Sequence, residues 1–364
     1  MVDDLPEVPD QTAPNDVEYD VLAPWGTGGP PASGLWVTDI LGTPYSCRTL
    51  ELLDDEEGPV VATLVRKTRR NPRFILLYLH GRNDYFFQTE LSEIIDHSGG
   101  AFYALDLRKY GRSLRPWQTI GYIDDLSAYD EDISAALDLI RLDHPDLPLI
   151  VMGHSTGGLI ATLWTYRHPG ACTGLILNSA WLDLQKFASM KPALKGVLDR
   201  VAARSPHAPV IGAGSDTYSR SLSGGWEQSG FPLPAHLEAY RDDPAVRGWV
   251  YAPEWKRPDS YPVPAAWLAA VIRGQEEIEK NAHIDCPILS MTSTRSMLDE
   301  KWSPDVFSSD IVLDVNAIRK RAVNLSDCVT MARLPGKHDL ATSDPDVRAD
   351  YYAIITRWLR AVCP

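Results

Sequence analysis

A serine set between two glycines is the residue in this chain best placed for covalent chemistry. Gly153-His154-Ser155-Thr156-Gly157 follows the apolar run Leu149 to Met152 and precedes another, Leu159 to Tyr166. A G-x-S-x-G sequence between a strand and a helix puts the serine hydroxyl on a sharp turn, clear of the sheet. The N–H groups and positive dipole end of the following helix then point at it. A side chain at either glycine would crowd that turn.

A hydroxyl is a weak nucleophile without a base, and the base needs an orienting acid. In this arrangement the order along the chain is serine, acid, histidine. The downstream histidines are His168, His207, His236, His283 and His338. His338 alone follows a late strand-like run, in Leu334-Pro335-Gly336-Lys337-His338-Asp339. His154 adjoins the serine but faces the wrong way to be its base. The acid should come after Pro287 to Thr292, where Asp299, Asp305, Asp310 and Asp314 all stand. Asp310 is preferred, because the stretch from it to His338 has room for one helix and one strand. Asp314 is the runner-up, with N-capping of a helix over 316–322 as its structural role. The intervening run Ser293 to Ser308 is longer than a usual strand-end loop.

An oxyanion developing on a carbonyl needs two preorganised N–H donors. Thr156, right after the serine, supplies one. The other is expected from the turn His80-Gly81-Arg82-Asn83, with Arg82 N–H as the candidate and Gly81 permitting the backbone it needs. The Arg82 side chain is expected to lie over the pocket or to pair with Asp84.

These groups require a sheet to hold them. Arg48 to Leu53 and Val60 to Lys67 are strand-like runs around an acidic turn, and Phe74 to Leu79 is a continuous apolar run of strand length. Strand and helix patterns then alternate: helix over Gln88 to His97, strand over Ala101 to Leu107, amphipathic helix over Tyr129 to Leu142, the strand and helix around Ser155, and a strand over Leu175 to Asn178. That alternation predicts an α/β fold with a mostly parallel sheet covered on both faces. It stops after Asp183. Residues 184–283 are rich in Pro, Gly and aromatics, among them Phe187, Trp226, Trp249 and Trp255, and are expected to form a cap over the carboxyl edge of the sheet. The α/β rhythm resumes with strands over Pro287 to Thr292 and Val329 to Leu334 and a final helix over Val347 to Val362. Residues 1–44, acidic and rich in Pro and Gly, read as an extended N-terminal arm, and 45–183 with 284–364 as the core.

Bulk properties narrow the function. A net charge of −14 argues against a nucleic-acid partner. Five scattered cysteines without C-x-x-C or Cys/His spacing imply reduced thiols and no metal site. The amino-terminal residues lack a basic and an apolar region, and no stretch reaches the roughly 18 apolar residues of a membrane span. A cytoplasmic protein is expected, with peripheral lipid contact left open. No cofactor is implied: Gly26 to Gly29 has no strand before it and is not a nucleotide loop.

Four blocks together resemble the α/β-hydrolase superfamily: His80-Gly81, Asp106-Leu107-Arg108-Lys109-Tyr110-Gly111-Arg112-Ser113, Gly153 through Gly158, and Gly336 through Asp339. Within it they are most similar to the serine aminopeptidase-like and lysophospholipase-like branch, which includes monoacylglycerol lipases. The resemblance implies an α/β-hydrolase fold with a cap, a Ser155–His338–Asp310 triad, and Arg82 and Thr156 as oxyanion donors. It implies a serine hydrolase, and the aromatic-rich cap points to a small carboxylic ester with an apolar acyl group of lipid type. Acyl transfer, aminopeptidase and thioesterase chemistry on the same triad are alternatives, and a non-catalytic ligand-binding protein on this fold is a further one. The chain departs from the family at Arg82-Asn83, where a glycine-rich turn is usual, and in the long Ser293 to Ser308 insert.

Overall fold

The structure, a computed structural model, describes residues 19–183, 191–212, 214–299 and 301–363. Its elements run β1 (Val37–Thr38), β2 (Tyr45–Glu51), β3 (Val61–Lys67), β4 (Phe74–Leu79), α1 (Thr89–His97), β5 (Gly100–Asp106), α2 (Tyr129–Asp143), β6 (Leu149–His154), α3 (Thr156–Arg167) and β7 (Gly174–Asn178). They continue with α4 (Lys191–Arg204), β8 (Pro209–Ile211), α5 (Thr217–Ser223), α6 (Pro244–Arg247), β9 (Val263–Pro264), α7 (Ala265–Asn281), β10 (Ile288–Ser293), α8 (Val315–Ala322), β11 (Val329–Leu334) and α9 (Pro345–Val362).

Among the described residues nine strands form one sheet in the order β1-β2-β3-β5-β4-β6-β7-β10-β11. The pairings from β5 through β4, β6, β7 and β10 to β11 are parallel, and β1 to β3 and β5 join antiparallel. The fold is thus the α/β-hydrolase sheet with helices on both faces. Alternate residues of each inner strand enter different cores. In β4, Ile75, Leu77 and Leu79 join the core under α2, α3 and α7, while Phe74, Leu76 and Tyr78 join the one under α1 and α9. Burial on both faces is why β4 reads as an unbroken apolar run rather than an alternating one.

The strand order reverses between β4 and β6. The chain leaves β4 toward β5 on one side and leaves β6 toward β7 on the other. Their carboxyl ends therefore open a crevice between two diverging connections, the place where open α/β sheets bind ligands. The His80 turn and Ser155 are the two lips of that crevice.

Two expectations about the periphery change. Residues 1–18 and 184–190, with Phe187, lie outside the described residues. From residue 19 onward, however, the N-terminal stretch is not an extended arm. Trp25 meets Trp255 edge-on at 5.6 Å, Val21 O accepts from Trp255 Nε1 at 2.8 Å, and β1 pairs with β2. Pro and Gly set tight turns here, and a few apolar anchors decide the packing, a pattern that composition alone conceals. Helix α7, placed by sequence in the cap, packs on α4 of that stretch and also on α3, burying Val271 and Ile272 in the core shared with α2 and α3. We propose that the cap proper ends near residue 264.

Candidate active site

Ser155 sits between β6 and α3 at φ 53°, ψ −119°. A non-glycine residue held there carries strain of about 1–3 kcal/mol, which the surroundings must offset. Its carbonyl accepts from Gly158 N–H at 3.0 Å and Trp181 N–H at 2.9 Å, and its N–H donates to Asn178 O at 3.0 Å. The glycines are needed for contact rather than flexibility. A Cβ on Gly157 would stand 2.2 Å from His80 O, and one on Gly153 would stand 2.4 Å from Gly157 O. At Gly81 a Cβ would come within 3.0 Å of the Ser155 Cβ.

His338 lies in the loop after β11, buried, and lines the same cavity as Ser155. Its Nδ1 is 2.9 Å from Asp310 Oδ2. Asp310 is fully buried, and its Oδ1 also accepts from Val312 N–H at 2.9 Å and Leu313 N–H at 2.7 Å. An Asp310 carboxylate makes Nδ1 the protonated nitrogen and leaves Nε2 free to act as a base. Asp314 instead caps α8, accepting from Asn316 N–H at 2.9 Å and Ala317 N–H at 3.4 Å.

The long insert before Asp310 doubles back. Asp310 N–H donates to Arg295 O at 3.0 Å and Met297 N–H to Asp310 O at 2.8 Å, so Asp310 returns to lie beside the end of β10. The excursion between them buries Val306 and Phe307 against Trp226, Leu237 and Val246 of the 184–283 stretch. Asp305 is exposed and paired with Arg295. Asp299 lies in the same excursion.

Arg82 and Thr156 both line the cavity, and neither backbone N–H has a hydrogen-bond partner among the described residues. The His80 ring fixes the turn before Arg82. Its Nε2 accepts from Leu107 N–H at 3.0 Å, so Nδ1 carries the proton donated to Gly81 O at 2.7 Å. The Arg82 side chain does not pair with Asp84. It donates to Ser260 Oγ at 2.9 Å and Tyr261 O at 2.6 Å, because Lys256 has taken Asp84 at 2.9 Å.

Behind this loop, the Asp106-to-Ser113 block forms a buried ion cluster. Arg112 pairs with Asp39 at 2.6 Å and Asp106 at 2.8 Å, all three fully or almost fully buried, and also donates to Phe86 O at 3.1 Å. Asp106 further accepts from Phe86 N–H at 3.1 Å. Burial opposes charge on Arg112 and Asp39. For Arg112 the carboxylates of Asp106 and Asp39 outweigh it and raise the guanidinium above its usual range. For Asp39, burial pushes upward but Arg112 prevails and holds the carboxyl below its ordinary 3.8. Removing one partner strands the others. Asp106→Ala is expected to cost about 3–5 kcal/mol in a denaturant titration, far above the effect of an exposed carboxylate. Because the folded state lowers the Asp39 pKa, its stabilisation is complete above 3.8 and is lost as pH falls below that value. Asp39→Asn should accordingly flatten the acid limb of the stability profile.

The other histidines stand elsewhere. His207 stacks on Tyr122 at 3.9 Å, His168 bonds Trp164 O at the end of α3, and His236 and His283 are exposed. His154 lines the cavity, its ring 4.9 Å from that of His338, but its Nδ1 is engaged by Asn178 O at 3.1 Å. Burial lowers its pKa. A neutral His154 adds no positive charge beside His338.

The cavity encloses about 570 Å³. Its walls are mainly apolar, with Trp181, Trp267, Leu198, Val201, Leu268 and Leu313 prominent. Sequence reasoning missed the polar end formed by Asp84, Lys256 and Tyr218. A lone lysine in an aromatic stretch was the available signal. Among the described residues no helix is long and apolar enough to cross a membrane, and no cluster of three His, Cys, Asp or Glu suited to a metal occurs.

Known proteins agree with this architecture. A monoacylglycerol lipase of Mycolicibacterium smegmatis is 29% identical over 177 residues, covering 48% of this chain and 57% of that protein. Phospholipase YtpA of Bacillus subtilis is 33% identical over 117 residues, covering 31% and 43%. The chain spans about half the length of these relatives. In structure, a thermostable carboxyl esterase from Bacillus coagulans superposes with a TM-score of 0.57 at 18% identity, over 87% of this chain and 99% of that one. A monoglyceride lipase from Saccharomyces cerevisiae gives 0.58 at 14%, over 86% and 95%. The sequence profile of the serine aminopeptidase, S33, family matches residues 70–298, well over half of the chain, and the protein belongs to that family of α/β-hydrolases.

Proposed function

We propose that the protein is a serine hydrolase of carboxylic esters with an apolar acyl group, of the monoacylglycerol or lysolipid kind. Ser155 is the nucleophile, His338 the base and Asp310 the group that orients it. Thr156 N–H and Arg82 N–H are the oxyanion donors. Ser155 Oγ adds to the ester carbonyl while His338 Nε2 takes its proton. The tetrahedral oxyanion is held by the two N–H groups, and His338 returns the proton to the departing alcohol. Water, deprotonated by His338, then releases the acid from the acyl-enzyme. The observation that carries this reading is the 2.9 Å His338–Asp310 bond, with His338 facing the same apolar cavity as Ser155.

An apolar cavity of this size suits an acyl chain. An aminopeptidase would need an anionic site for a free amine. Glu227, Glu238 and Glu254 are not among the cavity-lining residues, and Asp84, the acidic side chain that is, already has Lys256 as its counter-ion. Esters are therefore favoured over aminoacyl substrates.

The test is a fluorophosphonate label together with a substrate panel. Labelling should map to Ser155, and p-nitrophenyl esters of increasing chain length should be cleaved in preference to aminoacyl-anilides. Absence of labelling on folded protein, or preference for the anilides, would overturn the reading. Product analysis with added glycerol separates hydrolysis from acyl transfer.

A further inference from the structure

Four consecutive residues of the loop after β4 grip one segment of the cap. The Arg82 guanidinium bonds Ser260 Oγ and Tyr261 O and lies 4.0 Å from the centre of the Tyr261 ring. Asn83 pairs with the backbone of Arg257 in both directions, Nδ2 donating to Arg257 O and Oδ1 accepting from Arg257 N–H, each at 2.8 Å. Asn83 N–H also donates to Tyr261 Oη at 3.3 Å. Asp84 holds Lys256, both buried, and Tyr85 Oη accepts from Ala252 N–H at 2.7 Å.

This is more than a cap needs to stay attached. Asn83 has φ 52°, a left-handed conformation that asparagine tolerates better than most residues, and its bonds to Arg257 and Tyr261 hold it there. The residue so held follows directly on Arg82. An oxyanion donor works because it is fixed before the reaction begins, and displacement by about 1 Å can cost about 10²-fold in rate. The loop has only Gly81 on one side of Arg82, pressed against Ser155, and the cap-bound Asn83 on the other.

We propose that the cap segment 252–262 is a fixed strut of the oxyanion hole, and that Arg82, Asn83 and Tyr261 are positioning residues that aim the Arg82 N–H through it. The segment is then not a lid that lifts during turnover. The proposal rests on Ser155 being the nucleophile and Arg82 N–H a donor.

The experiment compares Asn83→Gly, which keeps the positive φ and loses the two side-chain bonds to Arg257, with Tyr261→Phe, which removes the hydroxyl that accepts from the Asn83 N–H. Arg82→Ala and Arg82→Lys complete the set. Melting curves identify the variants that remain folded. In these, kcat for a medium-chain ester should fall about 10- to 100-fold for Asn83→Gly and about 3- to 10-fold for Tyr261→Phe, with KM within about twofold. The rate of fluorophosphonate labelling should fall in parallel, because the phosphoryl oxygen takes the oxyanion's place. Arg82→Lys should recover part of what Arg82→Ala loses. A rise in KM at constant kcat, or unchanged labelling in folded Asn83→Gly and Tyr261→Phe, would overturn the proposal alone. A wild-type protein that is not labelled at Ser155 would remove the nucleophile reading and this proposal with it.

Discussion

Ser155→Ala is expected to lower kcat for ester hydrolysis by roughly 10⁴-fold or more and to abolish fluorophosphonate labelling. Without the hydroxyl there is no acyl-enzyme, and the oxyanion donors and cavity can only accelerate direct attack by water. Stability should barely move, since alanine inherits the same φ of 53°. Ser155→Gly is the more informative companion. It should be equally inactive yet more stable than wild type by about 1 kcal/mol, because glycine occupies this backbone state without strain. Circular dichroism melts of the three proteins read this directly. An Ala variant with wild-type turnover would dismiss the nucleophile role, and a Gly variant less stable than Ala would dismiss strain at the turn.

The second large effect concerns the acid. Asp310→Asn is expected to reduce kcat by about 10³- to 10⁴-fold. The amide can face His338 through its NH₂ group, favouring the tautomer in which Nε2 carries the proton and no longer serves as a base. Asp314→Ala should leave kcat within about twofold and cost about 1 kcal/mol, the usual loss for an N-cap. The reverse result would transfer the acid role to Asp314. The contrast is sharp because Asp310 Oδ2 meets the imidazole while the Asp314 Oδ1 bonds go to the first N–H groups of α8.

The inner sheet was legible in the sequence because burial on both faces leaves an unmistakable apolar run. The structure has β4 at Phe74–Leu79, the same bounds that the sequence suggests. The turn at Ser155 was legible because two close backbone approaches admit only glycine. What sequence conceals is pairing over distance. Arg82 was expected to lie over the pocket or to reach Asp84, two residues away; it lines the cavity, and that carboxylate belongs to a lysine 172 positions downstream. The insert before Asp310 looked like an overlong strand-end loop because its packing partners, Trp226 and Leu237, belong to another part of the chain. The stretch from residue 19 read as an arm because turns built on Pro and Gly have no periodicity, and nothing in their composition announces that Asp39 will neutralise Arg112. Helix α7 was assigned to the cap by proximity in sequence, and it bridges α4 of that stretch and α3 of the core.

The Trp255 contact with the N-terminal stretch bears on how this enzyme class can be recombined. Tyr19 lies beneath the Arg257 guanidinium at 4.8 Å, and Val21 O holds the Trp255 indole. The seam from residue 19 through 252–262 to Arg82 therefore joins three regions that a domain-swapping scheme would treat as separate cassettes. A chimera that imports the cap of a relative should work only if the loop 82–85 and the stretch 19–25 travel with it. Grafts cut at the apparent cap boundaries should fold and yet turn over poorly, and restoring the donor's matching loop and leader should return the lost rate.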